Sequence, residues 1–128
     1  MEFDYTITTK KDFDSTVLSV QEEIAKIGFR VLYVHDVQKT LDEKGFKIES
    51  MKIIEFCNAK SAYAVLQADM KIGLCLPCKI NVYVKDNQTF ISGMRPIILS
   101  KFFPEAPLGT LPEEIDKLIK VVIDESKL

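Results

Sequence analysis

The sequence has few of the residues that mark specialised classes of protein. It holds three cysteines, one histidine, five glycines and five prolines among 128 residues. An odd, small number of cysteines argues against a disulfide framework and favours thiols that the cytoplasm keeps reduced. The glycines and prolines form no cluster that would act as a linker. We therefore expect a single domain over residues 1–128, since two halves of this length would each be marginally stable.

Long apolar runs and an excess of one charge are also missing. The longest apolar stretches, at 31–34 and 96–99, fall far short of the roughly 18 residues that a membrane-spanning helix needs. The acidic start of the chain does not resemble a signal peptide. Seventeen Lys and Arg nearly balance 19 Asp and Glu, so the basic surface typical of nucleic-acid binding is not expected. These features predict a cytoplasmic protein that binds neither membrane nor nucleic acid.

The sequence does contain a regular succession of strand and helix patterns. Segments with period-two alternation or β-branched composition predict strands, and they cover 3–8, 29–35, 48–57, 78–85 and 89–93. Apolar stripes predict helices, and these cover 11–27, 36–44, about 58–69 and the segment that begins near Pro112. The order predicts an α+β fold in which a run of antiparallel strands is covered on one face by the first and last long helices.

Turn and cap residues support these boundaries. Gly28 suits the left-handed end of the first helix, and the pair Asp86-Asn87 suits a hairpin turn. Asn58 can cap the helix that follows it. Thr110 and Glu113 have the spacing of a capping box at the start of the last helix.

The cysteines are the side chains whose chemistry stands out. Cys75 and Cys78 form a Cys-x-x-Cys pair, which suits a metal site or a redox dithiol. If the strands 48–57 and 78–85 are antiparallel neighbours, Cys57 and Cys78 lie at one end of the sheet, and strand 89–93 brings Met94 there too. Thiolates and a thioether are donors that favour copper(I). The one histidine, His35, is expected at the opposite end of the sheet. We expect any soft metal at Cys57, Cys75, Cys78 and Met94.

A purely structural interpretation of the same residues stays open. Cys78 shares a strand face with Ile80 and Val82, and free cysteine is among the most buried residue types. His35 and Asp36 are expected to serve a loop or a helix cap instead of proton transfer. The sequence contains no glycine-rich phosphate loop, nucleophile elbow or Ser/His/Asp arrangement. Hydrolase and kinase functions therefore receive no support.

Three blocks of the sequence resemble a known family. They read IIEFCNA at 53–59, AYAVLQAD at 62–69 and IGLCLPCKINVY at 72–83. Over about residues 13–96 the chain resembles the domain-of-unknown-function family 302. The resemblance implies a strand, a helix, four antiparallel strands and a final helix, similar to the TATA-binding-protein fold with a curved sheet, and it implies a homodimer. It implies no activity. The family often has Pro and Asn where this chain has Ala59 and Lys79, and Cys75 is an additional thiol.

Two functions follow as hypotheses. The first is a non-enzymatic homodimeric module that binds a small ligand against Cys57, Asn58, Pro77 and Cys78, or a soft metal at the thiols. The second is a small thiol-redox enzyme that uses Cys78 with Cys75 or Cys57, although its thiols precede a strand and lack the helix N-terminus that lowers a thiol pKa in thioredoxin. The second copy of a homodimer is expected on the strand face that carries Tyr83 or at an exposed strand edge.

Overall fold

The computed structural model describes residues 3–128. Five strands and five α-helices follow one another in an α+β order: β1 (Asp4–Thr9), α1 (Phe13–Lys26), β2 (Arg30–Asp36), α2 (Val37–Asp42), β3 (Met51–Cys57), α3 (Ala59–Ala68), a 3-10 helix (Met70–Cys75), β4 (Cys78–Lys85), β5 (Gln88–Met94), α4 (Ile98–Phe102) and α5 (Leu111–Ser126). No helix in this part of the chain has the length and apolar character needed to cross a membrane.

The strands form one antiparallel sheet in the order β1-β5-β4-β3-β2. Strands β2 to β5 are a meander, as the sequence predicts, and β1 pairs with the free side of β5. The β4–β5 hairpin closes through Asp86 and Asn87, both with positive φ, which is the turn that suits the twist of paired strands. Register therefore places the end of β3, the start of β4 and the end of β5 together.

Helices α1 and α5 pack against one face of the sheet. Ile80 and Val82 of β4 are fully buried beneath them, which confirms the predicted covered face. Gly93 of β5 allows α5 to approach closely, because a Cβ at that position would lie 2.9 Å from Ile123 Cδ1. The main core comprises buried apolar residues from both helices and from strands β3, β4 and β5, among them Val20, Ile24, Ile54, Phe56, Ile91, Ile119 and Val122.

A second, smaller core lies at one end of the sheet. Val65 of α3, Ile72 of the 3-10 helix and Leu99 of α4 form its buried centre. The 3-10 helix and α4 could not be predicted from the sequence, because each is too short to show an apolar period. These short elements pack their few apolar side chains together, and their cluster closes the end of the sheet where β3, β4 and β5 meet.

Most predicted caps are present, and one is wrong. Asn58 Oδ1 accepts a hydrogen bond from Ser61 N at 2.9 Å, and Gly28 has φ +82° at the end of α1. Thr110 makes no side-chain cap on α5. Its hydroxyl instead donates to Glu114 Oε2 at 3.5 Å, one residue beyond the Glu113 of the predicted capping box. Pro112, in the first turn, needs no amide partner there.

The opposite face of the sheet carries a mixed polar and aromatic surface. Register places its side chains in rows across the strands. One row is Thr8, Phe90, Tyr83 and Met51, and the next is Thr6, Ser92, Asn81, Ile53 and His35. We call this surface the open face.

Candidate functional site: a thiol cavity at the end of the sheet

A small cavity lies between the two cores, at the end of the sheet where β3, β4 and β5 meet. Its volume is about 30 Å³, which exceeds the space for a water molecule but is far below the roughly 300 Å³ of the smallest typical organic-ligand pockets. The walls come from every element that reaches this end: Phe29, Cys57, Asn58, Ser61, Ala62, Val65, Cys75, Leu76, Cys78, Met94, Pro96, Leu99 and Ile115. We call this space the thiol cavity.

The cavity brings together the sulfur-bearing residues that the sequence places at one end of the sheet. Cys57 ends β3, Cys78 begins β4 opposite Phe56, and Met94 ends β5. All three line the thiol cavity, and so does Cys75 from the end of the 3-10 helix. The three cysteines are free and partly buried.

Asn58 positions one wall of the cavity through its side-chain amide. Its Oδ1 caps α3 at Ser61 N, and its Nδ2 donates to Gly28 O at 3.3 Å. The second bond ties the start of α3 to the end of the α1 turn, from which Phe29 enters the cavity. Asn58 therefore fixes the position of α3 relative to β2, and its polar groups already have partners.

The Cys78 thiol lies in an environment that disfavours its charged form. Burial raises the pKa of Cys78 to about 11, the neighbouring Cys57 contributes to the rise, and Lys79 lowers it slightly. The thiolate is the form of cysteine that attacks disulfides and other electrophiles. At neutral pH Cys78 is therefore a protonated, weakly reactive thiol, and the contribution from Cys57 reflects the proximity of the two groups.

The expected three-thiol metal site is not assembled. In residues 3–128 no group of three His, Cys, Asp or Glu side chains is placed so that it could hold a metal ion. Cys75 lines the cavity from the end of the 3-10 helix but does not form such a group with Cys57 and Cys78. The soft donors that remain for one ion are two thiols and the Met94 thioether.

Pro77 and His35 lie outside the thiol cavity. Pro77 lines a separate groove on the open face, so the predicted ligand set of Cys57, Asn58, Pro77 and Cys78 is divided between two surfaces. His35 Nε2 lies 3.3 Å from Glu55 Oε1 and pairs in register with Ile53, near the other end of β3. Asp36 caps α2 by accepting from Lys39 N at 3.0 Å, as the sequence predicts.

The sequence does not predict several of the residues that line the cavity. Val65, Leu99 and Ile115 reach the cavity from α3, α4 and α5, and nothing in their local pattern distinguishes them from ordinary core residues. Arg95, which follows Met94 in the chain, forms a two-bond ion pair with Asp116, with Nε and Nη2 donating at 3.2 and 3.1 Å. This pair ties the end of β5 to α5 between two residues that line the cavity, Met94 and Ile115.

The fold and this site define an α+β protein with a five-stranded antiparallel sheet and a thiol-lined cavity at one end of it. The chain belongs to the family called Domain of unknown function DUF302, whose model matches residues 5–126. It is similar to the crystal structure of an uncharacterized conserved DUF302 protein from Bacillus stearothermophilus, with a TM-score of 0.91 and 29% sequence identity over 98% of this chain and 99% of that one. No curated protein matches the sequence. Family membership confirms the resemblance and the fold, and it assigns no activity.

Proposed function

We propose that the protein is a non-enzymatic binding module that holds one copper(I) ion between Cys57 and Cys78, with Met94 as a third donor. The observation that carries this proposal is that these three sulfur-bearing residues line the same cavity of about 30 Å³. A space of this size suits a single ion better than an organic ligand. Soft thiolate and thioether donors are those that select copper(I).

The donor set favours copper(I) over zinc. Structural zinc is bound by four nitrogen, sulfur or oxygen donors in tetrahedral geometry. In residues 3–128 the three cavity thiols form no group that could hold a metal ion together, so the proposed donors are the thiols of Cys57 and Cys78 and the Met94 thioether. The single histidine pairs in register with Ile53 and does not line the cavity. Copper(I) accepts two or three soft donors, so it fits the set that these residues provide.

The alternative, a thiol-redox enzyme that uses Cys78 with Cys75 or Cys57, has weaker support. Its favourable feature is that all three free cysteines line one cavity. The pKa of Cys78, raised to about 11, disfavours it because an attacking cysteine needs a thiolate near neutral pH.

Copper(I) titration in competition with a soluble chelator tests the proposal. The reduced wild-type protein should bind one ion per chain more tightly than ordinary cellular thiols do. A Cys57→Ser, Cys78→Ser double variant should lose more than roughly a hundredfold in affinity, since even outer-shell partners cost about 10–100-fold when they are removed. Met94→Leu should weaken binding less than the double variant does.

Two matched variants serve as controls. Cys75→Ser removes a thiol of the same cavity that lies outside the proposed donor set, and Met70→Leu removes a methionine that is 74% exposed on the surface. Both should bind copper(I) like the wild type. Wild-type affinity in the Cys57→Ser, Cys78→Ser variant, or a loss of affinity in Cys75→Ser as large as in that variant, would contradict the assignment.

We further propose that the protein forms a homodimer through the row of Phe90, Tyr83 and Met51 on the open face. The rings of Tyr83 and Phe90 are stacked with centroids 5.1 Å apart, and all three side chains are partly exposed. Lys85, Lys47 and Glu49 surround the end of this row. A patch with an apolar centre and charges of both signs at its rim can pair with a copy of itself about a twofold axis.

A further inference from the structure

A groove of about 470 Å³ crosses the open face near the ends of β1, β4 and β5. Its volume falls within the range of pockets that hold small organic molecules, roughly 300–1,000 Å³. The residues that line it come from three strands and the segment before β4: Phe3, Asp4, Thr6, Leu74, Cys75, Pro77, Lys79, Asn81, Tyr83, Ser92, Gly93 and Met94. We call it the open-face groove.

A chain of hydroxyl groups runs across the groove and ends at Asp4. Thr6 donates to the Asp4 carboxylate, Thr6 Oγ1 and Ser92 Oγ lie 2.7 Å apart, and the Tyr83 hydroxyl lies 3.5 Å from Ser92 Oγ. The Thr6 hydroxyl donates its one proton to Asp4, so it accepts the hydrogen bond from Ser92. Ser92 can in turn accept a hydrogen bond from the Tyr83 hydroxyl. The three hydroxyl groups therefore all direct their protons toward Asp4. The Asp4 carboxylate keeps further acceptor sites for a ligand.

Lys79 carries the opposite charge on the other side of the groove. Its Nζ donates to the carbonyl of Pro77 at 3.2 Å. Glu55 lies opposite Lys79 in register but pairs with His35, and Lys79 forms no ion pair with a carboxylate in residues 3–128. Asp4 likewise forms none with a cation in this part of the chain. The groove thus presents two charged groups that a ligand can pair with, the carboxylate of Asp4 and the ammonium group of Lys79.

Strand register sets the distance between the Cα atoms of the two charged residues. Asp4 pairs with Met94 of β5, and the β4–β5 register, extended by one residue beyond Ile80 and Gly93, places Lys79 on the other side of Met94. Neighbouring strands lie about 4.8 Å apart, so the Cα atoms of Asp4 and Lys79 are roughly 10 Å apart. An extended peptide spans at most about 3.3–3.6 Å per residue. An extended chain of two or three residues matches this Cα separation, and the flexible side chain of Lys79 can adjust to the position of its carboxyl end.

We propose that the open-face groove binds a short peptide of two or three residues with both ends free. Its ammonium group pairs with Asp4, its carboxylate pairs with Lys79, and its middle lies over Met94. Ser92 and Asn81 offer hydrogen-bonding groups to the peptide backbone. Phe3 and Leu74, 58% and 88% exposed, provide apolar walls for its side chains.

Calorimetry with trialanine as the probe tests this proposal. Free trialanine should bind, and acetylation of its amino end or amidation of its carboxyl end should each weaken binding by roughly tenfold, the scale of a hydrogen bond to a charged group. Lys79→Met should abolish the difference between the acid and the amide. Asp4→Asn should abolish the difference between the free and the acetylated amine.

Control variants separate the groove from the rest of the surface and from the thiol cavity. Lys85→Met removes a lysine of the same strand face outside the groove, and Asp42→Asn removes a surface acid far from it; both should bind trialanine like the wild type. The Cys57→Ser, Cys78→Ser variant should also bind it normally, because the proposal does not depend on a metal. Equal binding of blocked and free peptides, or no binding at millimolar concentration, would overturn the proposal.

Discussion

At the scale of single residues, the thiol of Cys78 shows how placement changes a side chain's chemistry. Cys78 belongs to the apolar face of β4, beside the fully buried Ile80. Burial is the largest cause of its raised pKa, and the proximity of Cys57 is the second. A metal must displace the thiol proton before it binds. Copper(I) affinity should therefore increase as pH rises toward the pKa of Cys78.

The same pKa predicts how the stability of the metal-free protein depends on pH. The folded state holds the Cys78 proton up to about pH 11, whereas the unfolded chain releases it near the ordinary value of 9.0. The stabilisation is thus complete below about pH 9 and is lost as the pH rises toward 11. Urea unfolding of the reduced protein should show a decline of up to about 2 kcal/mol over this interval that Cys78→Ser lacks.

The comparison with Cys78→Ser isolates this thiol from lysines and tyrosines that titrate in the same range. Cys75→Ser serves as the matched control and should decline with pH like the wild type. A decline of equal size in Cys78→Ser would show that the pH dependence comes from other groups.

At the scale of secondary-structure elements, the packing of α1 and α5 on one face of the sheet forms the main core, to which Val82 of β4 belongs. Val82 is fully buried beneath these helices. Val82→Ala should reduce the free energy of unfolding by about 1–3 kcal/mol, since it removes buried methyl groups and leaves a cavity. Denaturant unfolding measures the loss. Val121→Ala makes the same change at a valine of α5 that is 48% exposed, and it should reduce the free energy of unfolding by less than Val82→Ala does. Equal losses in the two variants would contradict the stabilising role of the buried face of β4.

The elements also explain how much the sequence could predict. Strand and helix periodicity identified the meander and both long helices, and antiparallel order was enough to bring Cys57, Cys78 and Met94 to one end. The 3-10 helix and α4 show no period of their own, so the second core, and with it Val65 and Leu99 in the cavity wall, could not be predicted. Cys75 reaches the cavity as expected from its spacing to Cys78, but spacing along the chain does not reveal that the three thiols form no metal-holding group in residues 3–128.

The open-face groove could not be predicted either, for a different reason. The sequence indicates that Lys79 and Tyr83 share a face, but Asp4 and Ser92 meet this face only because β1 pairs with β5. That pairing joins residues almost 90 positions apart in the chain, as between Thr6 and Ser92. Local patterns contain no information on such a pairing.

At the scale of the whole molecule, the sheet separates two candidate sites that share part of their walls. The thiol cavity lies between the two cores, and the open-face groove lies on the open face of the sheet. Pro77, the neighbour of Cys78, lines the groove beside the cavity. Cys75 and Met94 line both spaces. An occupant of the groove would therefore lie against the residues that close the cavity, and the two sites are close enough to affect each other's access.

The proposed homodimer provides the prediction for the assembled molecule. The row of Phe90, Tyr83 and Met51 shares Tyr83 with the open-face groove, whereas Lys79 lies about four residues, or roughly 13 Å, from Tyr83 along the strand. A dimer formed there would cover the Tyr83 end of the groove and can leave its Asp4 and Lys79 end accessible. Sedimentation equilibrium at tens of micromolar should give twice the chain mass of 14.6 kDa.

Phe90→Lys places a charge in the centre of the patch and should shift the protein toward the monomer, with circular dichroism to verify that the sheet is retained. Phe102→Lys makes the same change at a side chain that is 62% exposed on α4 and should leave the dimer intact. A monomeric wild type, or a dimer that Phe90→Lys does not weaken, would exclude this interface.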